Sequence, residues 1–161
     1  MFRLPHNQEV LGIFLKLAKE LNKINILPIT YGSFGLNLLI GEQGSIHDLD
    51  LIISDDEFSH SWDNIKNNIM PSLGYEIDAT HWQEFNGHDI PISILKISEI
   101  QKLTDIYASQ FKKEKLESIE YYNLSLNQYL DIYKKGLLNK YRKQKKNKED
   151  KQKILLIKQH L

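Results

Sequence analysis

The chain has 161 residues, no cysteine, and 21 basic against 21 acidic side chains. That length is enough for one compact domain with a real core, and a net charge of zero removes any global pull toward nucleic acid or an anionic membrane. The lack of cysteine excludes disulfides and thiolate metal sites. No apolar run reaches the length of a membrane span, and the first residues lack the basic-then-apolar form of a signal peptide, so a cytoplasmic protein is expected.

In chain order, Asn7 is placed to cap a helix whose apolar positions Leu11, Phe14, Leu15, Ala18 and Leu21 recur every three to four residues. Ile24 to Tyr31 is the first strand region; Pro28 lacks a donor, so pairing is expected to begin there. Tyr31-Gly32-Ser33-Phe34 is a tight turn into a short helix, Phe34 to Ile40, which ends near Gly41. Gly41-Glu42-Gln43-Gly44 is then a loop before a strand that carries Asp48 and Asp50. Side chains alternate along a strand, so both aspartates project from one face, with Cα atoms roughly 6–7 Å apart, while Leu49, Leu51 and Ile53 point into the core. Two carboxylates on an apolar strand are costly unless a cation offsets them. A pair of hard divalent ions such as Mg²⁺ suits those oxygens. The Gly32-Ser33 turn opens a helix N-terminus, where free N–H groups and the helix dipole favour a phosphate. His47 is read as structural.

Asp55-Asp56-Glu57 is read as the first turn of a helix, not as a metal cluster. That helix buries Phe58, Trp62, Ile65, Ile69 and Leu73 and stops at Gly74. Tyr75 to Phe85 and His88 to Ile97 form a predicted hairpin with Asn86-Gly87 as its two-residue type I′ turn. Glu84 then faces Asp89, and Asp78, Thr80, Trp82 and Glu84 share a face. Pro91 sends the second strand to the sheet edge, so the first lies nearer the aspartate strand. Glu84 is therefore the first candidate for a third acid, Asp89 the second and Asp78 the third. Ser98-Glu99-Ile100-Gln101 has the form of a capping box ahead of Leu103, Ile106 and Tyr107. Asp105 to Tyr122 is charged enough to predict a solvated helix end and linker. Tyr129, Leu130, Tyr133 and Leu137 mark another amphipathic helix, and the lysine-rich run from Lys140 to Lys153 reads first as a solvated face.

The succession Gly-Ser, helix, Asp-x-Asp and Leu-Ile-Ile resembles the nucleotidyltransferase superfamily that includes DNA polymerase β. It is most similar to the small bacterial members related to lincosamide and aminoglycoside nucleotidyltransferases. His81-Trp82-Gln83-Glu84-Phe85 resembles a His-Glu-His-Glu-Phe segment of that group, with Trp82 in place of the earlier Glu. Tyr-Arg, Lys-Glu-Asp and Lys-Ile-Leu near the end resemble its closing helix, which implies that Arg142, Lys148 and Lys153 approach a triphosphate. The resemblance implies an α/β (α+β) fold, a small mixed sheet flanked by helices. The core is expected over residues 1–110 and a helical segment packed on it over 111–161. It implies transfer of a nucleoside monophosphate from a nucleoside triphosphate, ATP being the expected one, to a hydroxyl of an antibiotic-like small molecule or a protein. Mg²⁺ or Mn²⁺ is expected on Asp48, Asp50, Glu84 and Asp89, with Gly32 and Ser33 cradling phosphate. Glu84 is expected either in the metal shell or as base. The alternative is a binding module without turnover, such as an antitoxin-like partner; RNA is a further admissible partner.

Overall fold

The structure, a computed structural model, describes residues 1–101, 111–138 and 144–161. Seven strands form one mixed sheet: β1 (Ile29–Tyr31), β2 (Leu49–Ile53), β3 (Glu76–Ile77), β4 (Glu84–Asn86), β5 (Ile92–Lys96), β6 (Lys112–Leu116) and β7 (Ile119–Asn123). Their order across the sheet is β3-β4-β5-β2-β1-β7-β6. β1 begins directly after Pro28, as its missing donor requires. β2 is flanked by β1 (antiparallel) and β5 (parallel), and burial on both faces explains its apolar residues. Leu49, Leu51 and Ile53 meet Val10, Phe14 and Leu21 of α1 (Pro5–Lys23) and Phe58 of α3 (Asp55–Asn64) on one face. On the other face, Ile29 and Ile52 pack against Tyr129, Leu130 and Tyr133 of α6 (Leu126–Leu138) and Ile154 and Ile157 of α7 (Gln144–His160).

The cap of α1 differs from expectation. Leu4 is the N-cap, and Asn7 lies fully buried inside the first turn. The orphan N–H groups of Arg3 and Leu4 donate to the Glu42 carboxylate, each at 3.1 Å. Asn7 donates to Glu42 (2.7 Å) and to the Gly44 carbonyl (2.8 Å), and accepts from the Ile46 N–H (2.8 Å). An amide three residues into a helix thus orders the loop that leads to Asp48. Burial raises the Glu42 pKa, but Asn7 and the Leu4 and Arg3 N–H groups outweigh it and hold this carboxyl below its ordinary value.

α3 starts on a full capping box between Ser54 and Glu57. Asp55 accepts from the Ser98 N–H at 3.0 Å, which ties it to α5 (Ile97–Gln101); the Ser98 hydroxyl foremost, with that N–H, keeps its carboxyl below the usual range against the opposing effect of burial. α3 runs on through a π-helical turn (Ile65–Ile69) into α4 (Met70–Ser72), and Gly74 follows at φ 83°. The cap at α5 is Glu99, which accepts from the Lys96 N–H at 3.0 Å, in place of the expected Ser98–Gln101 box. Leu103, Ile106 and Tyr107 lie outside the described residues.

The hairpin is the main correction. The first long strand is broken into β3 and β4, because the Asp78 carboxylate gathers Thr80, His81 and Asn86 into a tight loop. Those hydrogen bonds, the Thr80 hydroxyl foremost, hold Asp78 far below its ordinary pKa. Its oxygens are committed to the loop. The type I′ turn is centred on His88-Asp89 (φ 52° and 56°), closed by Ile90 N–H to the Gly87 carbonyl at 3.0 Å. Glu84 consequently pairs with Ser93, not with Asp89. The strand order is also reversed: β5 adjoins the aspartate strand and β4 lies outside it.

A second correction concerns residues 112–123, expected as helix end and linker. They form a hairpin turning at Glu117 (φ 56°), whose Ile119, Tyr121 and Asn123 are buried in alternation. β7 pairs with β1, so residues beyond 110 complete the sheet before the two C-terminal helices begin.

Candidate active site

The site is a row of side chains across the middle of the sheet. Tyr31 pairs with Asp50, Asp50 with Ser93, and Ser93 with Glu84. Paired residues project from the same face, and Leu49, Ile92 and Phe85, one position away, are fully buried on the other. Asp50 and Glu84 are partly buried; Asp48, the residue before β2 and outside the strand expected to carry it with Asp50, and Asp89, in the turn, are exposed. Strands lie about 4.8 Å apart, so Glu84 sits about 10 Å from Asp50 with Ser93 between them.

Gly32 opens α2 (Gly32–Ile40) at φ 67°, and a Cβ there would lie 2.8 Å from Asp50 Oδ2. Glycine is thus required both by the left-handed backbone and by the close approach of a carboxylate. The N-cap residue Tyr31 makes no side-chain capping hydrogen bond, and the first turn of α2 begins beside the Asp50 carboxylate. Behind the helix, Asn123 donates to the Gly35 carbonyl (3.0 Å) and accepts from the Tyr129 hydroxyl (2.7 Å). Asn37 holds the other end, donating to Ser33 O (2.7 Å) and accepting from Gln43 N–H (2.7 Å).

A cleft of about 270 Å³ continues from this helix start. Ser33 and Asn37 of α2, His47 of the preceding loop, and Glu149, Gln152 and Lys153 of α7 line it. The Lys153 ammonium lies 4.9 Å from the centroid of the Tyr133 ring. Ser33 and Lys153, two candidates from the sequence, therefore share one cleft. Lys148 is exposed and does not line it, and Arg142 lies outside the described residues. Trp62 stacks on Phe58 at 4.4 Å as a core residue.

Among the described residues, no three His, Asp or Glu side chains converge as a metal-binding group. Asp48 and Asp50 offer two hard oxygen donors beside a glycine cradle, which fits a divalent ion whose other ligands come from substrate and water. Sequence reasoning missed Ser93, Glu149 and Gln152. The spacing 149, 152, 153, 156 on α7 is a helix-face signal, but nothing in sequence marks Ser93 without the strand order.

No family model matches the chain. In fold it is similar to an antigenic nucleotidyltransferase-like protein from Paracoccidioides brasiliensis, with TM-score 0.61 at 15% identity over 94% of this chain and 75% of that one. The antibiotic-resistance factor ANT(2'')-Ia gives 0.63 at 10% identity over 96% and 85%. Lincomycin-bound LnuA, a lincosamide antibiotic adenylyltransferase, gives 0.56 at 13% identity over 91% and 95%. The chain therefore has the nucleotidyltransferase fold. By sequence it belongs to the family of the uncharacterized protein YnaI of Bacillus subtilis (strain 168), being 33% identical over 145 residues, 89% of this chain and 92% of that protein. None of the helices of the described residues is long and apolar enough to cross a membrane.

Proposed function

We propose that the chain is a metal-dependent nucleotidyltransferase that moves a nucleoside monophosphate from a triphosphate, ATP first, to an acceptor hydroxyl. The observation that carries this reading is Gly32 at positive φ against the Asp50 carboxylate, at the start of α2. The N–H groups there and Ser33 hold triphosphate oxygens, and Lys153 approaches them from α7. Asp48 and Asp50 would hold Mg²⁺ or Mn²⁺, which supplies charge neutralisation at the phosphates when bound. The acceptor oxygen bonds to the α-phosphorus, the bond to the bridging oxygen breaks, and pyrophosphate leaves. Glu84 takes the acceptor proton.

Two of the similar folds belong to proteins named for antibiotics, which supports a small hydroxyl compound as acceptor, with a protein hydroxyl beside it. The reading of a binding module without turnover draws on Ser93, and no third acid, standing next to Asp50 among the described residues. One experiment separates them: incubate the protein with each α-labelled triphosphate and Mg²⁺ against pools of antibiotics, proteins and RNA. Transfer that disappears in Asp50→Asn supports the enzyme. Nucleotide binding with no transfer to any pool supports the binding module.

A further inference from the structure

We infer that Ser93 makes this a one-ion site and leaves Glu84 to the acceptor. The inference rests on the nucleotidyltransferase reading above. The strand order narrows the expected pair of ions to one: a two-ion phosphoryl site places its ions about 3.5–4 Å apart, so a second ion beside the one on Asp48 and Asp50 needs a further charged oxygen within one strand spacing of Asp50. On one side of Asp50 that place belongs to Tyr31, and on the other to Ser93. Both side chains end in a hydroxyl and not a carboxylate, and a hydroxyl is a weak ligand for a hard cation. The nearest carboxylate in the row, Glu84, stands one strand further out.

The same register gives Glu84 its use. Ser93 sets Glu84 one strand beyond the phosphate site on the face that carries Asp50, which leaves Glu84 to the acceptor and not to an ion. The hairpin turn keeps Asp89 out of this row; it occupies the left-handed turn position beyond the strand ends.

The test is a count of Mn²⁺ bound per chain, read by paramagnetic resonance of the free ion, with one equivalent of an α,β-imido triphosphate analogue present. The native chain is expected to hold one ion, and so are Ser93→Ala and Glu84→Gln. Ser93→Asp places a carboxylate next to Asp50 and is expected to hold two. Two ions on the native chain, or one on a folded Ser93→Asp, overturns the inference. If Ser93→Asp does not fold, the native count alone decides. Failure of the underlying reading has a different signature: Asp50→Asn would bind the analogue with undiminished Mn²⁺ dependence, whatever the ion count.

Discussion

Gly35 sits inside α2, where replacing glycine by alanine ordinarily gains about 1 kcal/mol from helix propensity. Here the opposite is expected. A Cβ on Gly35 would overlap the Tyr129 hydroxyl and come within 3.0 Å of the Thr30 carbonyl carbon and 3.1 Å of Asn123 Oδ1. Tyr129 is fully buried and its hydroxyl donates to Asn123 at 2.7 Å. Overpacking costs about 1–3 kcal/mol, and displacing this buried hydroxyl forfeits a further ~1 kcal/mol or more. Against the ~1 kcal/mol propensity gain, Gly35→Ala should destabilise by about 1–3 kcal/mol. Tyr129→Phe alone should cost about 1–1.5 kcal/mol, for the lost hydrogen bond. The double variant lacks the clashing oxygen, so its cost should fall short of the sum by at least ~1 kcal/mol. Urea unfolding of the four proteins measures the cycle. A Gly35→Ala protein as stable as native, or costs that simply add, would refute the packing reasoning that holds α2 and Ser33 in place.

Gly32→Val forces a β-branched side chain into the left-handed region against Asp50; the fold should survive while triphosphate affinity, by calorimetry, drops by about tenfold or more. Unchanged affinity in a folded variant would count against the cradle. Glu84→Gln should lower turnover by about 10²–10⁴-fold with nucleotide binding largely retained, and Asp89→Asn should be mild. The reverse pattern would put the base in the turn. Glu42 has a folded pKa below its unfolded value, so its contribution is present above about pH 4.3 and is lost as pH falls through the lower folded value. The stability gap between native protein and Glu42→Gln should therefore persist at pH 7 and close only below pH 4.3; a gap that closes between pH 5 and 7 would disprove the assignment.

The legible parts of this chain were those fixed by local chemistry. Gly-Ser before a helix, Pro28 ahead of a strand and Asp55-Asp56-Glu57 as the first turn of a helix each depend on neighbours in sequence. What escaped were contacts over long sequence distance. The lysines of β6 point to solvent from an edge strand, so Lys112-Lys113-Glu114-Lys115 reads as a charged helix until β7 is paired with β1. Asn7 has the side chain of a cap, yet Pro5 starts the helix earlier and the cap comes from Glu42. The order and register of the hairpin strands escaped because strand order is set by which face of each strand finds a core. A parallel partner for β2 leaves no local signal in the residues that supply it.

The hairpin itself can be tested without any activity. Asn86-Gly87 carries the sequence signature of a type I′ turn, but Gly87 serves another purpose. Its φ is not positive, and a Cβ there would approach the Gly74 carbonyl oxygen to 2.6 Å and the Tyr75 ring to 2.9 Å. It is a packing glycine beside the fully buried Tyr75, whose hydroxyl donates to the Ile90 carbonyl at 2.8 Å. The positive φ values fall instead on His88 and Asp89, side chains that tolerate them, and His88 is held by a 2.8 Å contact to the Leu73 carbonyl. Asp89→Val separates the two registers by sign. In the left-handed turn position, on an exposed side chain, valine should cost about 1–2 kcal/mol. In a strand position paired with Glu84, valine would replace a repelling carboxylate with a strong strand former and raise stability by up to ~1 kcal/mol. A stabilised Asp89→Val protein in thermal unfolding would return Asp89 to the row and remove Ser93 from it.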